Sequence, residues 1–218
     1  MVIGRATDGK RSVLLYFIMG RSANSRNRVF ISTEYGIRTE AFDPAALTDP
    51  GLIIYEPVRV SGVRTIVTNG DQTDTVFTHL ESGGDFITAL RTREFEPDAP
   101  HYTPRISALI ERDGSYCVSV LKTDGGDPAC CCRYFFEYPA ALPGTGRFIS
   151  TYVTDGDPLP SFSGEPVRVE IPAGGLRNFA DIVWEALDAD NKVALYARET
   201  DIETGDSYDL IINKHGSH

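Results

Sequence analysis

Residues 64–90 read RTIVTNGDQTDTVFTHLESGGDFITAL. The opening run, 64–68, is β-branched and short, which suits a strand. From Gln72 onward apolar residues return at helical spacing: Val76, Phe77, Leu80, Phe86, Ile87 and Leu90, with a break at Gly83-Gly84. Between the two lies Asn69-Gly70, a turn signal, with Asp71 or Thr73 placed to cap the helix that follows. A strand, a glycine turn and a helix start aim several backbone N–H groups at one spot, which suits an anion. Asp71 would compete for those donors, and an ordinary capped Asn-Gly turn fits the same letters.

Outward from this unit, strand-like runs recur between turn residues at 13–19, 29–33, 52–55, 58–61, 105–110, 116–122, 130–138 and 147–151. A second amphipathic helix is expected over 176–187, where Leu176, Phe179, Ile182, Val183, Ala186 and Leu187 form a stripe. Runs 192–198 and 208–212 read as a closing hairpin turning through 201–206. Many strands joined by short turns, with few helices between them, argue for antiparallel sheets and an α+β class. The stretch 155–175 carries Pro158, Pro160, Pro166 and Pro172, shows little periodicity before 167–171, and reads as a loop. Too few strands follow it for a second core, so 1–218 is expected to be one domain.

The chain has 218 residues and a formal charge of -10, yet residues 1–64 hold nine Lys and Arg against six Asp and Glu, a local +3. Arg21, Arg26 and Arg28 fall within Gly20 to Arg28, just after the apolar run 13–19. One basic cluster in an acidic chain is a poor match for a nucleic-acid backbone, which needs many spread phosphate contacts. It suits a single phosphate better, although a solvated turn with surface ion pairs fits the composition equally. The run 13–19 is too short to cross a bilayer and the start lacks a signal-peptide pattern, so a soluble cytoplasmic protein is expected. Cys117 and the consecutive Cys130, Cys131 and Cys132 form neither a disulfide framework nor a familiar metal spacing. Adjacent strand residues alternate faces, so the three cannot all turn to one ion, and small apolar side chains are the expected role.

A third segment, Glu94 to Arg105, sets three carboxylates (Glu94, Glu96, Asp98), His101 and Arg105 among Pro97, Pro100 and Pro104. The prolines disfavour helix and make an ordered loop plausible. A held carboxylate can take and return a proton, and an arginine can grip a carboxylate or phosphate at two points.

Taken in order, Gly4-Arg5, Arg21-Ser22, Asn27-Arg28, Val67-Thr68-Asn69-Gly70, Thr73-Asp74-Thr75, Thr103-Pro104-Arg105-Ile106 and Ile149-Ser150-Thr151-Tyr152 resemble archaeal-type IMP cyclohydrolases. The similarity runs across roughly three quarters of the chain. The resemblance implies a four-layer αββα fold like that of amino-terminal-nucleophile hydrolases, used without self-cleavage; Met1-Val2 offers no nucleophile for such cleavage. It also implies ring closure of 5-formamidoimidazole-4-carboxamide ribonucleotide to inosine monophosphate with loss of water, the last step of de novo purine synthesis. Both reacting groups belong to one molecule, so the task is to orient them, move a proton and stabilise a charged tetrahedral intermediate. No metal, cofactor or covalent intermediate is implied. The partner is a small purine ribonucleotide, with neither nucleic acid nor membrane, and a homo-oligomer stays open because a neighbouring subunit can complete such arginine loops.

The same resemblance assigns roles. Glu96 is the proton shuttle, with Glu94 and Asp98 as rivals one or two positions away. Tyr55 and Asn69 hydrogen-bond the reacting groups; Arg21 and Arg28 hold the substrate through phosphate or carboxamide oxygen. Arg105 binds substrate or holds Glu96, while Gly70, Thr73, Thr151 and Tyr152 line the site. Bland alternatives stand beside these: Tyr55 as a core ring, Asn69 as a turn residue, Arg105 as a partner of Asp98. The first arginine loop is longer than the family's usual form and lacks its proline, so Arg26 has no assigned equivalent, and 155–175 is extra. Two further classes compete: a non-catalytic purine-ribonucleotide sensor, and an amide hydrolase activated by internal cleavage, which an unprocessed chain would contradict.

Overall fold

The protein was analysed as a computed structural model that describes residues 1–48, 50–51, 53–154, 156 and 159–216. Among the described residues thirteen strands make two antiparallel sheets. The first holds β1 (Val2–Arg5), β2 (Arg11–Met19), β10 (Thr145–Phe148), β11 (Val167–Glu170), β12 (Lys192–Asp201) and β13 (Ser207–Asn213), in the order β11-β10-β1-β2-β12-β13. The second is a meander in chain order of β3 (Arg28–Thr33), β4 (Gly36–Ala41), β5 (Val58–Ser61), β6 (Arg64–Thr68), β7 (Arg105–Ile110), β8 (Tyr116–Asp124) and β9 (Asp127–Tyr138). The helices are α1 (Ala23–Arg26), α2 (Gln72–Glu81), α3 (Phe86–Arg91) and α4 (Gly175–Ala186), with a 3-10 turn at Pro44–Ala46.

Three buried clusters set the layers. Leu14, Tyr16, Ile18 and Tyr196 of the first sheet meet Phe30, Val67, Ile106 and Val118 of the second. On the outer face of the first sheet, Val13, Leu15, Leu195 and Ala197 meet Leu176, Phe179 and Ala180 of α4. On the outer face of the second, Ile66, Leu109 and Leu121 meet Val76, Leu80, Phe86 and Leu90 of α2 and α3. The packing is therefore helix, sheet, sheet, helix. β2 is buried on both faces, which is why its sequence is a continuous apolar run rather than an alternating one.

Most of the expected elements are present, and the helical stretch beginning at Gln72 breaks at the Gly83-Gly84 pair as anticipated. Several readings need correction. Residues 53–55 are not a strand: Ile53 and Tyr55 are held by the side chain of Thr39, whose hydroxyl donates to the Ile53 carbonyl at 2.6 Å and accepts from Tyr55 N at 2.9 Å. Residue 52 lies outside the described residues, as do 155, 157 and 158 of the expected loop. That loop also contains β11, which pairs with β10 along the edge of the first sheet. β10 begins at Thr145 and ends at Phe148, earlier than the expected 147–151. β1, β4, α1 and the 3-10 turn had no sequence signal assigned to them. Among the described residues no helix is long and apolar enough to cross a membrane.

Candidate functional site

The three polar segments meet where β6 ends and β7 begins. Neither Asp71 nor Thr73 caps α2 as expected: Asp71 stands at the N-cap position but makes no side-chain cap bond. Its carboxylate instead accepts from Arg93 Nη2 at 2.6 and 2.7 Å and pairs with Arg105 Nη1 at 2.7 Å. Burial works against the Asp71 charge, but these hydrogen bonds and the two guanidinium charges together hold its carboxyl below the usual range. Thr73 turns back, its hydroxyl bonded to Thr68 Oγ1 at 2.7 Å and donating to the Gly70 carbonyl at 3.2 Å. It is fully buried and locks the turn. The Asn69 and Gly70 N–H groups are taken by the Ile106 carbonyl and Thr68 Oγ1, so the group facing this turn is a guanidinium rather than an open anion cradle.

Asn69 is bonded on both sides of its amide. Its Nδ2 donates to the Pro104 carbonyl at 2.8 Å and to Thr151 Oγ1 at 3.3 Å; its Oδ1 accepts from Ile106 N at 2.9 Å and Gln72 Nε2 at 3.0 Å. Gln72, wholly buried, then accepts from Arg105 Nη1 at 2.6 Å. These bonds fix the Arg105 guanidinium in front of Gly70, where Glu96 Oε1 approaches it at 3.7 Å. Arg105 thus pairs with Asp71 and approaches Glu96, as one of the readings from the resemblance had it, and the bland alternative of an Asp98 partner is not among the ion pairs of the described residues.

The segment from Glu94 to Arg105 separates its three carboxylates. Glu94 is exposed and pairs with Arg133 at 3.5 Å. Asp98 folds onto its own loop, accepting from Thr103 N at 2.6 Å and from the Thr103 hydroxyl. Glu96 is only 9% exposed, anchored by its N–H to the Thr103 carbonyl at 2.9 Å. Burial, the largest influence, pushes its carboxyl up to about 7; Arg105 and Arg28 pull it down, while the charges of Asp98 and Asp71 push it up. A buried carboxyl among convergent charges is the usual mark of a working site.

On the opposite side lie Arg28, Tyr55 and Tyr16. The loop Gly20 to Arg28 is a single turn of helix with Ser22 and Ser25 bonded reciprocally at its start. Arg28 folds inward, Nε donating to the Ser25 carbonyl at 2.7 Å, and its charge acts on the Tyr55 hydroxyl. The Tyr55 and Tyr16 hydroxyls lie 3.1 Å apart. Burial raises the Tyr55 pKa; Arg28 and the Tyr16 hydrogen bond pull it down, and Glu96 pushes it up, which places all four groups in one field. Arg21 is exposed, its guanidinium 5.7 Å from the Tyr152 ring centre. Tyr152 in turn bonds Thr103 Oγ1 at 2.7 Å. Every expected site residue except Arg21 thus lies within one network of hydrogen bonds and close charges around Glu96, and Arg21 touches its rim through Tyr152.

Tyr16, Thr39, Gln72 and Thr103 were missed. Gln72 had a signal: it occupies the apolar stripe of α2, four residues before Val76, where a buried amide must find partners. Tyr16 likewise sits on the inward face of β2 between Leu14 and Ile18. Thr39 had none, because its partners 53–55 are distant in sequence. Thr39→Val is expected to cost about 1–3 kcal/mol, since it strips partners from the Ile53 carbonyl and Tyr55 N–H without changing volume. Chemical denaturation checks this, and an unchanged midpoint would show the Tyr55 segment to be held by something else.

Two cavities flank α4 on the far face of the first sheet, the larger about 230 Å³ and walled by Val2, Phe17, Phe148, Phe179 and Val183. Neither is lined by Glu96.

Fold and site together define an α+β protein of two stacked antiparallel sheets in which buried carboxyl, guanidinium and phenol groups converge. Residues 1–205 match the family described as IMP cyclohydrolase-like protein. Over 152 residues the chain is 30% identical to proteins named IMP cyclohydrolase from two strains of Halobacterium salinarum, covering 65% of this chain and 77% of each relative. The chain belongs to the IMP cyclohydrolase-like family.

Proposed function

We propose that the protein closes the ring of 5-formamidoimidazole-4-carboxamide ribonucleotide, giving inosine monophosphate and water. The observation that carries this is Glu96, a buried carboxyl set at about 7 between Arg105 on one side and Arg28 with Tyr55 on the other. A group poised near neutrality serves as base and then as acid in one turnover. In the first half, Glu96 takes a proton from the substrate carboxamide nitrogen as that nitrogen attacks the formyl carbon. The C–N bond forms and the formyl C=O electron pair moves to oxygen, where Arg28 and the Tyr55 hydroxyl stabilise the charge. In the second half, Glu96 returns its proton to the oxygen, a second proton passes to that oxygen from the former formamide nitrogen, and the C–O bond breaks to release water as that nitrogen's electron pair forms the C=N bond, leaving one N–H on the attacking nitrogen.

Arg105 is assigned as the positioning residue for Glu96, and Asn69 as the residue that fixes Arg105 through Gln72. Arg28, placed against Tyr55, takes the oxyanion role, and Arg21, exposed at the rim beside Tyr152, takes the phosphate. The four packed layers are consistent with the amino-terminal-nucleophile architecture that the resemblance implied, and cytoplasmic purine synthesis is the proposed setting.

The test is conversion of the formamido ribonucleotide by purified protein, with a chelator present. Inosine monophosphate should appear in equal amount to substrate lost; no turnover, with thermal stabilisation by the nucleotide alone, would favour the sensor. Arg21→Ala should raise KM roughly 10- to 100-fold, the loss expected for one charge-assisted contact, while the fold survives because the side chain is exposed. An unchanged KM would remove Arg21 from the phosphate.

A further inference from the structure

The β8–β9 hairpin turns through Gly125 and Gly126, both at positive φ (60° and 93°), as a two-residue turn between twisted strands requires. The ladder then slips. Thr123 pairs with Cys131 but Asp124 pairs with Asp127, so Pro128, Ala129 and Cys130 are extra residues on β9. A bulge of this kind redirects side chains from the regular pleat. Of the three consecutive cysteines, Cys131 packs against the core beneath α2 and α3. The Sγ atoms of Cys130 and Cys132 and a carboxylate oxygen of Asp124 instead all lie within 4.8 Å of one another. β9 is an edge strand, Asp124 and Cys130 are exposed and Cys132 is partly so, which leaves the group open to solvent.

We propose that Asp124, Cys130 and Cys132 bind one thiophilic divalent ion of the Zn²⁺ or Cd²⁺ type, with solvent completing the coordination. Zn–S bonds of about 2.3 Å and Zn–O bonds of about 2.1 Å in a tetrahedron place neighbouring ligand atoms roughly 3.5–3.8 Å apart. The observed spacing, within 4.8 Å, is about 1 Å from this. Ligation displaces the thiol protons, so affinity should rise with pH. Residues i and i+2 of a strand share a face, so Cys130 and Cys132 lie together, and the hairpin brings Asp124 from the neighbouring strand beside them, which sequence spacing alone did not show. None of the three residues belongs to the Glu96 network, so occupancy is read without reference to turnover.

The experiment is titration of the full-length, reduced protein with Cd²⁺, following the ultraviolet absorption of cadmium–thiolate bonds. Absorption should saturate at one ion per chain and reverse on adding excess Zn²⁺. Cys130→Ser and Cys132→Ser should each abolish the plateau, and Asp124→Asn should weaken binding at least tenfold. Cys131→Ser and Cys117→Ser should leave it intact, with circular dichroism showing every variant folded. Cd²⁺ absorption that persists in the Cys130→Ser/Cys132→Ser double variant, that is lost equally in Cys131→Ser, or that never develops would overturn the site. Unchanged affinity in Asp124→Asn would overturn the three-ligand assignment.

Discussion

Glu96→Gln is expected to lower turnover of the formamido ribonucleotide by about 10²- to 10⁴-fold, the range for loss of a general acid–base group, and at the same time to make the protein more stable at pH 8. The second effect follows from the direction of the Glu96 shift. Its carboxyl is raised from 4.5 to about 7, so between these values the folded chain holds a proton that the unfolded chain has released. Stability from this group is fully present below pH 4.5, falls as pH rises, and is gone above pH 7. The difference in proton affinity corresponds to on the order of 3 kcal/mol between the two ends. Glutamine imitates the protonated form at every pH. Wild type and variant should therefore melt together near pH 4, while at pH 8 the variant should melt higher by about 5–10 °C for a chain of this size.

The pairing of the two effects separates catalysis from architecture. A residue that only holds the fold together loses stability when its charge is removed, whereas a carboxyl kept ionisable in a dry site against its own solvation gains it. The wild-type profile of kcat/KM should also bend near pH 7, and the bend should vanish in Glu96→Gln. Equal melting temperatures at pH 8, or a surviving bend, would sink the assignment of Glu96 as the shuttle.

Reading the letters located the site far better than it described the site's wiring. Val67 to Thr75 was legible as strand, turn and helix because its hydrophobic period changes from two to 3.6 across a glycine, and that change is a local property. Glu96 could be separated from Glu94 and Asp98 only in three dimensions. All three are carboxylates in one proline-rich loop, and what distinguishes them is the partner each finds: Arg133 for Glu94, Thr103 for Asp98, Arg105 for Glu96. Of the Arg105 partners Glu96 was anticipated and Asp71 was not, for the same reason. Asp98 is near in sequence, but Asp71 is near in space because β6 and β7 pair side by side. Residues 53–55 failed as a strand because a side chain from β4 takes up their polar groups, which no periodicity can announce. The cysteines illustrate the opposite case. The rule that neighbours on a strand alternate holds for all three, setting Cys131 towards the core and Cys130 with Cys132 on the other face; what the sequence could not announce is that the hairpin brings Asp124 beside that pair.

Gly70→Ala is expected to reduce turnover at least 100-fold through space alone. Gly70 lies outside the left-handed backbone region, so alanine meets no conformational penalty there. Its Cβ, however, would stand 2.4 Å from Arg105 Nη1, 2.8 Å from Gln72 Oε1 and 3.3 Å from Glu96 Oε1. The guanidinium must retreat by about 1 Å, a displacement large enough to cost two orders of magnitude when it misplaces a reacting group. Retreat also strains the bonds from Arg105 to Gln72 and Asp71, and crowding a packed interior in this way typically costs about 1–3 kcal/mol. The direction of the pH effect gives the sharper reading. Arg105 pulls the Glu96 carboxyl down, so moving it away should carry the bend in the kcat/KM profile above 7, and the variant should recover part of its lost rate in alkaline buffer as Glu96 ionises. If the rate falls with the bend unmoved, Arg105 holds substrate rather than Glu96; if neither changes, the guanidinium is not where the reaction needs it.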